Sequence, residues 1–193
     1  MSIDIGSGVY LNNIIPNFFS KEEIDRAWNE IDDYPRWRYT KMGGGAYYWQ
    51  YQMFDKIEEH HLPDLEMNFS NVRPIWKEFY DKMIATLDGN FKPWRYLLNG
   101  QIQCQPSKRH TDFYPGTSDV KATTLLVYLN KEWDNDWSGE TLFYSRGSDE
   151  PAGSIFPEPG KLLDYDGRIR HHALPPNAPN ILRTTLVVQG TYA

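Results

Sequence analysis

Residues 101–116, QIQCQPSKRHTDFYPG, join two runs of strand-forming residues, RYLLNGQIQCQ at 95–105 and KATTLLVYLN at 121–130. Within this stretch His110 and Asp112 are two positions apart. Successive side chains of an extended segment point to opposite faces, so His110 and Asp112 share one face and Thr111 lies on the other. An imidazole and a carboxylate on one face indicate either an ordinary polar strand or two side chains that bind one cation.

The β pattern continues to the end of the chain. Short runs of strand-forming residues are separated by Gly, Pro, Asn and Asp, and no helical pattern intervenes. The further runs are HTDFY, ETLFYS, KLLDYD, HHALP and LRTTLVVQG. This arrangement predicts a sandwich or a barrel that begins at about residue 93.

The first half of the chain carries two helical patterns. Ser20 and Glu23 have capping-box spacing ahead of an amphipathic run, so we expect a helix to begin after Ser20. A second helix is expected over residues 71–87, with Pro74 in its first turn.

Other signals in the first half are weaker. Residues 9–15 predict a short strand, and the three glycines at 43–45 predict a turn into an aromatic strand. No linker or shift of composition divides the chain. We therefore expect a single domain over 1–193, mainly β, with a helical N-terminal part over about 1–92 and a β core over about 93–193.

Composition and charge exclude several classes of partner. The formal net charge is −6 and no basic stripe is visible, which disfavours nucleic acid and membrane surfaces as partners. No secretory leader pattern and no apolar run of about 18 residues is present, so we expect a cytoplasmic protein without a membrane span. The only cysteine, Cys104, fits a reducing compartment and is expected to be buried.

A cation bound by His110 and Asp112 needs another ligand from far along the chain. Two imidazoles and one carboxylate form the facial triad of non-haem iron(II) sites, which leaves other coordination positions open. His171 and His172, at the entrance of a late strand, are the candidates for the second imidazole. Only one of them can face His110 if the backbone is extended there. A His-x-Asp triplet alone is weak evidence, because such triplets occur by chance.

Three stretches together resemble a known family. They are HTD at 110–112, TTLLVYLNKEWDNDWSGETLF at 123–143, and KLLDYDGRIRHHALPP followed by RTTLVV. The order and spacing of these stretches resemble the catalytic core of the iron(II)/2-oxoglutarate-dependent dioxygenases, and within them the prolyl-hydroxylase branch. The resemblance implies a double-stranded β-helix (jelly-roll) core. It also implies Fe(II) as the metal, 2-oxoglutarate as cosubstrate, O2 as oxidant and ascorbate as a reductant.

The resemblance also assigns the metal ligands. His110 and Asp112 match the first two ligands of the family. His171 matches the third, because it ends the family's Asp-x-Arg-x-x-His pattern at residues 166–171. His172 is the alternative.

Four further residues match positions that contact the cosubstrate. Arg183 matches the residue that pairs with the far carboxylate of 2-oxoglutarate, to which a guanidinium offers a bidentate fork. Tyr128 matches a tyrosine that hydrogen-bonds the same carboxylate, and Thr185 could add a hydroxyl group. Gln105 stands where the prolyl-hydroxylase branch usually has Tyr, and is a further candidate for a contact with the cosubstrate.

The function implied by the resemblance is hydroxylation of a C–H bond, with a prolyl residue in a peptide or protein as the first choice. One alternative is a hydroxylase of a free amino acid or another small molecule. An alternative of another class is a non-catalytic jelly-roll binding protein. Nucleic-acid demethylases of the superfamily carry a second Arg six residues after the cosubstrate Arg. Gln189 occupies that position, which argues against a nucleic-acid substrate.

Overall fold

The computed structural model describes residues 2–33, 37–41, 47–55, 69–105, 107–112 and 121–192, so the glycine turn expected at 43–45 lies outside it. Within these residues the helices are α1 (Lys21–Asp33) and α2 (Pro74–Ile84), with a 3-10 turn at Asn135–Trp137. The strands, in chain order, are β1 (Ile3–Asp4), β2 (Tyr10–Leu11), β3 (Asn13–Ile15), β4 (Arg38–Lys41), β5 (Tyr47–Asp55), β6 (Phe91–Gln101), β7 (Ala122–Tyr128), β8 (Thr141–Tyr144), β9 (Pro151–Ile155), β10 (Leu162–Asp166), β11 (His171–Ala173) and β12 (Arg183–Tyr192).

Two antiparallel sheets form the core of the molecule. The main sheet has seven strands in the order β3-β10-β7-β12-β6-β5-β4, and the minor sheet has three in the order β11-β8-β9. A bridge between His110 and His171 adds the residue-110 segment beside β11. Strands β1 and β2 pair separately. The expected fold class, mainly β with N-terminal helices and a jelly-roll core, is confirmed.

The main sheet buries both of its faces because its central strands are apolar on both sides. On β12, Leu186 and Val188 pack with the residues of α1 and α2, while Val187 packs between the two sheets. Phe143 of the minor sheet meets this second layer. Arg183 and Thr185 precede Val187 at alternate positions, so they also face the space between the sheets.

The first half of the chain contributes strands to the main sheet as well as helices. Strands β3, β4 and β5 all belong to it, and β5 pairs with β6. The capping box at α1 is present, since the Ser20 N–H donates to Glu23 Oε2 (2.7 Å) and the Glu23 N–H donates to Ser20 Oγ (3.2 Å). Helix α2 is shorter than expected because residues beyond Ile84 form turns.

The expectation that Cys104 is buried is wrong. Strand β6 ends at Gln101, and Cys104 lies in the turn that follows, exposed and with a φ of 64°. A turn at the surface presents this small side chain to solvent.

Neither of the two described helices combines the length and the apolar character that a membrane span requires.

Candidate metal centre

The structure brings His110, Asp112 and His171 together, with one ligand atom from each lying within 4.8 Å of the others. The His110 Nε2 atom lies 3.4 Å from Asp112 Oδ1, and the His171 Nε2 atom lies 3.3 Å from Asp112 Oδ2. The two imidazole centroids are 4.6 Å apart. Two nitrogen atoms and one carboxylate therefore converge on one point from segments about sixty residues apart in the chain.

Backbone pairing sets this geometry. The N–H groups of His110 and His171 each donate to the other residue's carbonyl at 2.9 Å, so the two residues lie directly opposite each other. The Asp112 N–H donates to the Gly167 carbonyl at 2.6 Å, which holds the carboxylate-bearing segment near the end of β10. Alternation along β11 turns His171 inward, where it is 5% exposed.

His172 faces the opposite side of β11. Its Nδ1 atom lies 3.0 Å from the Tyr144 hydroxyl, and the two rings stack with centroids 5.6 Å apart. Burial and the neighbouring Arg109 lower the pKa of His172. Of the two histidines that the sequence left as candidates, His171 is the one that joins Asp112.

Both imidazoles of the triad are oriented by backbone carbonyls. The His110 Nδ1 atom lies 2.9 Å from the Lys108 carbonyl, and the His171 Nδ1 atom lies 2.9 Å from the Ile169 carbonyl. A carbonyl oxygen only accepts hydrogen bonds, so each Nδ1 carries the proton. In the neutral form of each imidazole the Nε2 atom then carries a lone pair that can bind a metal, which is the usual arrangement of metal-binding histidines.

Asp112 is held as a carboxylate. Its side chain is 7% exposed, and its Oδ2 atom accepts hydrogen bonds from Thr124 Oγ1 (3.0 Å) and from the Tyr165 hydroxyl (3.1 Å). Burial alone would raise the pKa of Asp112, but the two imidazoles outweigh this effect and hold it well below its usual value. Asp112 in turn raises the pKa of His110 against the opposing effect of burial.

Arg183 is a buried cation in the same layer, 3% exposed. Its Nε–H donates to the Gly139 carbonyl (2.6 Å) and one terminal N–H donates to Thr141 Oγ1 (3.0 Å). Burial lowers the pKa of the guanidinium. Among the residues that the structure describes, no carboxylate lies within ion-pair distance of Arg183. A buried guanidinium without a counter-ion is unfavourable, so this site is suited to an anionic ligand.

Tyr128 and Thr185, which were also predicted to contact the cosubstrate, lie beside Arg183. The Arg183 guanidinium carbon lies 5.3 Å from the Tyr128 ring centroid, and Thr185 is opposite Tyr128 in the pairing of β12 with β7. The structure shows another contact for Gln105. Its Oε1 atom accepts the Ile102 N–H at 2.9 Å, so the side chain closes the turn after β6.

Sequence reasoning missed the residues that hold the predicted ones in place. Thr124 and Tyr165 contact Asp112, while Thr141 and Gly139 contact Arg183. Their strands were predicted, and the alternation of β7 and β10 places Thr124 and Tyr165 on the inner face. That alternation was the available signal, but it does not distinguish a hydroxyl that contacts Asp112 from one that merely packs.

The residues present fit an iron(II) site with an organic anion nearby. Two neutral imidazoles and one carboxylate are the donor set of non-haem iron(II) centres with open positions. The His110 side chain is 45% exposed, whereas those of Asp112 and His171 are nearly buried, so the centre is accessible from the His110 side.

Comparison with known proteins agrees with this donor set. Residues 95–188 match the family model of the 2OG-Fe(II) oxygenase superfamily. No curated protein matches the chain by sequence.

Among solved structures, the chain is similar to a prolyl-4-hydroxylase from Pseudomonas putida (TM-score 0.61, 13% identity, covering 94% of this chain and 92% of that one). It is also similar to a Trichoplax adhaerens prolyl hydroxylase in complex with a hypoxia inducible factor oxygen degradation domain peptide fragment (TM-score 0.64, 16% identity, covering 93% of this chain and 83% of that one). A third similar structure is HygX from Streptomyces hygroscopicus with nickel, 2-oxoglutarate and hygromycin B bound (TM-score 0.63, 11% identity, covering 93% of this chain and 82% of that one). At these identities the likeness establishes a shared fold.

Proposed function

We propose that this chain, whose residues 95–188 match the family model of the 2OG-Fe(II) oxygenase superfamily, is a member of that superfamily and hydroxylates a C–H bond of a prolyl residue in a peptide or protein. Iron(II), 2-oxoglutarate and O2 together supply the oxidising chemistry, which is the cofactors' own. The observation that carries the proposal is the convergence of His110, Asp112 and His171 with their ligand atoms within 4.8 Å.

The three side chains would hold iron(II). Each Nε2 offers a lone pair because the Nδ1 proton is held by a backbone carbonyl, and Asp112 offers a charged oxygen. Thr124 and Tyr165 donate to Asp112 Oδ2, which fixes the orientation of the carboxylate. The substrate approaches on the side of His110, where the centre is exposed.

Arg183 binds the far carboxylate of 2-oxoglutarate, with Tyr128 and Thr185 beside it. Because Thr141 Oγ1 accepts an N–H from Arg183, its own proton is available to the Tyr128 hydroxyl, 2.7 Å away. The Tyr128 proton is then left with the Ile155 carbonyl at 3.4 Å, which is long for a hydroxyl hydrogen bond. A carboxylate next to Arg183 would be a better acceptor for this proton.

The choice of a prolyl substrate rests on similarity of fold. Two of the similar structures are prolyl hydroxylases, and one of these is bound to a peptide fragment. HygX, with hygromycin B bound, has the same fold and a small-molecule ligand. A free amino acid or another small molecule is therefore the second candidate for the substrate.

The test is a substrate screen with the iron-loaded protein, 2-oxoglutarate and O2. Proline-containing peptides, free amino acids and other small molecules are incubated separately, and both succinate and a mass gain of one oxygen are measured. We expect a proline-containing peptide to gain one oxygen. A mass gain on the small molecules alone would refute the prolyl assignment.

Matched variants test the metal site in the same assay. His110→Ala and His171→Ala should abolish both succinate formation and the mass gain. His172→Ala removes the neighbouring imidazole, which faces Tyr144, and should retain both. Full activity of His171→Ala would contradict the proposed ligand set.

A further inference from the structure

Each imidazole of the triad is preceded by an arginine. Arg109 stands before His110 and Arg170 before His171. Because side chains alternate along extended backbone, the two imidazoles point inward and the two guanidinium groups point to the outer face of the minor sheet. The outer face thus carries a second pair of side chains from the same two segments.

The two arginines meet on one aromatic ring. The guanidinium carbons of Arg109 and Arg170 lie 5.2 Å and 5.4 Å from the centroid of Tyr144, within the range of cation–π attraction. Tyr144 is 5% exposed, so its ring is fixed by its surroundings. Its backbone N–H also donates to the Arg170 carbonyl at 2.9 Å.

The same two guanidinium groups also bind one carboxylate, that of Asp149 in the turn after β8. Arg109 donates to Asp149 through the carboxylate (2.7 Å) and the backbone carbonyl (3.1 Å). Arg170 donates to the same Asp149 carboxylate (3.1 Å) and to the Ser148 carbonyl. Both histidine-bearing segments are therefore tied to one ring and one carboxylate.

We propose that Tyr144, Arg109, Arg170 and Asp149 form a clamp that positions His110 and His171 relative to each other and so sets the metal affinity of the site. This inference rests on the proposed function, because it assumes that the two histidines bind a metal. The clamp residues do not touch the metal. They act through the backbone of the two segments, which is also joined by the pair of hydrogen bonds between residues 110 and 171.

The test is titration of the metal-free protein with Co(II), followed by the visible absorbance of the bound ion. The double variant Arg109→Gln/Arg170→Gln removes both guanidinium groups, which are 42% and 35% exposed, so the core is left intact. We expect its Kd for Co(II) to rise about tenfold, the lower end of the loss seen when groups that orient metal ligands are removed. We also expect an altered absorption band at saturating Co(II), since the two imidazoles would bind in a changed geometry.

Two further variants separate positioning from general destabilisation. Arg146→Gln removes one guanidinium group from the turn that carries Asp149, at an exposed residue outside the clamp, and should leave the Kd unchanged. Tyr144→Phe retains the aromatic ring that both guanidinium groups contact and removes only the hydroxyl group. The clamp therefore predicts the wild-type Kd for Co(II) in this variant.

The outcomes distinguish the clamp from the proposed function. A double variant with the wild-type Kd overturns the clamp alone. A weaker Kd with an unchanged band at saturation also overturns it, because that pattern indicates loss of stability without a change of geometry. A wild-type protein that binds no Co(II) overturns the proposed function and the clamp with it.

Discussion

Gly139 shows how a single residue fixes the position of the Arg183 side chain. It has a φ of 88°, in the left-handed region that favours glycine, and its carbonyl accepts the Nε–H of Arg183 at 2.6 Å. A Cβ atom at this position would lie 2.6 Å from the Trp133 ring and 3.4 Å from Arg183 Cδ. The backbone at this position has to approach both side chains closely for Arg183 to keep its direction.

We predict that Gly139→Ala raises the KM for 2-oxoglutarate about tenfold or more, because a displacement of Arg183 by a fraction of an ångström disturbs a site that depends on position. The measurement is succinate formation at varied 2-oxoglutarate. Gly147→Ala is the matched control, since Gly147 also has a positive φ (79°) but nothing lies within 4 Å of an added Cβ. Equal effects of the two substitutions would mean that backbone strain alone, and not contact with Arg183, is responsible.

At the residue level, the sequence was most informative for residues whose type and position match a known pattern. His110, Asp112 and Arg183 could be singled out because the order and spacing of the stretches that carry them resemble a known family, whereas the His-x-Asp triplet alone is weak evidence. The choice between His171 and His172 depended on strand register, which adjacent identical residues leave open. Gln105 was predicted to contact the cosubstrate only because it stands where the prolyl-hydroxylase branch usually has Tyr. Its amide instead closes a local turn, because the Ile102 N–H after β6 needs an acceptor.

An ion pair between Glu23 and Lys82 joins helix α1 to α2. Its carboxylate accepts the Ser20 N–H and also two contacts from Lys82 Nζ, at 2.7 Å and 2.8 Å. Burial opposes ionisation, but Lys82 and Ser20 outweigh it and lower the pKa of Glu23 below its usual value of 4.5. The ionised form is therefore favoured by folding, and this contribution is present above about pH 4.5 and lost as the pH falls through the lowered pKa.

We predict that Glu23→Gln lowers the free energy of unfolding at pH 7 by about 1 kcal/mol or less, because an amide retains the cap but not the ion pair. The difference from wild type should shrink as the pH falls below about 4.5. Urea unfolding of both proteins at several pH values measures this difference in the free energy of unfolding. Glu22→Gln, in the same turn of α1, is the control and should show little difference at any pH. A constant difference for Glu23→Gln across the pH range would exclude the ion pair as its origin.

Elements with a strong periodic pattern were predictable, and those shaped by contacts with distant backbone were not. Strands β7 and β12 are continuous runs rich in Thr, Leu and Val, and α1 has both a cap and an amphipathic face. Strand β9 was missed because PAGSI contains Pro and Gly, which are poor strand formers. Gly153 is needed there, since an added Cβ would meet the Ile5 carbonyl. The requirement comes from the N-terminal segment and is invisible in the local sequence.

On the scale of the whole molecule, the halves on either side of residue 93 depend on each other. Helices α1 and α2 bury residues such as Ile24 and Phe79 against the outer face of the main sheet, whose Leu186 and Val188 are fully buried. Strand β5 also supplies hydrogen bonds to one side of β6. A β core cut at residue 93 would expose this apolar face and leave a long strand edge unpaired.

We therefore predict that a fragment of residues 93–193 does not fold cooperatively by itself. Far-UV circular dichroism during urea titration would show a gradual change, in contrast to a single sigmoidal transition for the full chain. Adding a separate chain of residues 1–92 should restore part of the transition if the missing surface is the cause. A sharp transition of the 93–193 fragment alone would mean that the jelly-roll core is an autonomous unit.

If Arg183 binds the far carboxylate of 2-oxoglutarate, as proposed, its burial links the stability of the whole molecule to this ligand. The hydrogen-bond acceptors of the guanidinium that the structure describes, the Gly139 carbonyl and Thr141 Oγ1, are neutral, so burying its charge opposes folding. A ligand that binds only the folded state adds about 2.7 kcal/mol at a concentration of one hundred times its Kd. For a chain of this length, that corresponds to an increase in Tm of about 5–10 °C.

We predict such an increase when 2-oxoglutarate is added to the Mn(II)-loaded protein, measured by calorimetry without an activity assay. Two controls isolate the role of Arg183. The ligand 2-oxobutyrate retains the 2-oxo acid but lacks the far carboxylate, so it should raise the Tm of wild type much less. The variant Arg183→Met should respond to both ligands equally and weakly, because it has no cation for that carboxylate. If 2-oxoglutarate stabilised Arg183→Met as much as wild type, the anion would have to bind elsewhere, and the uncompensated charge of Arg183 would need another explanation.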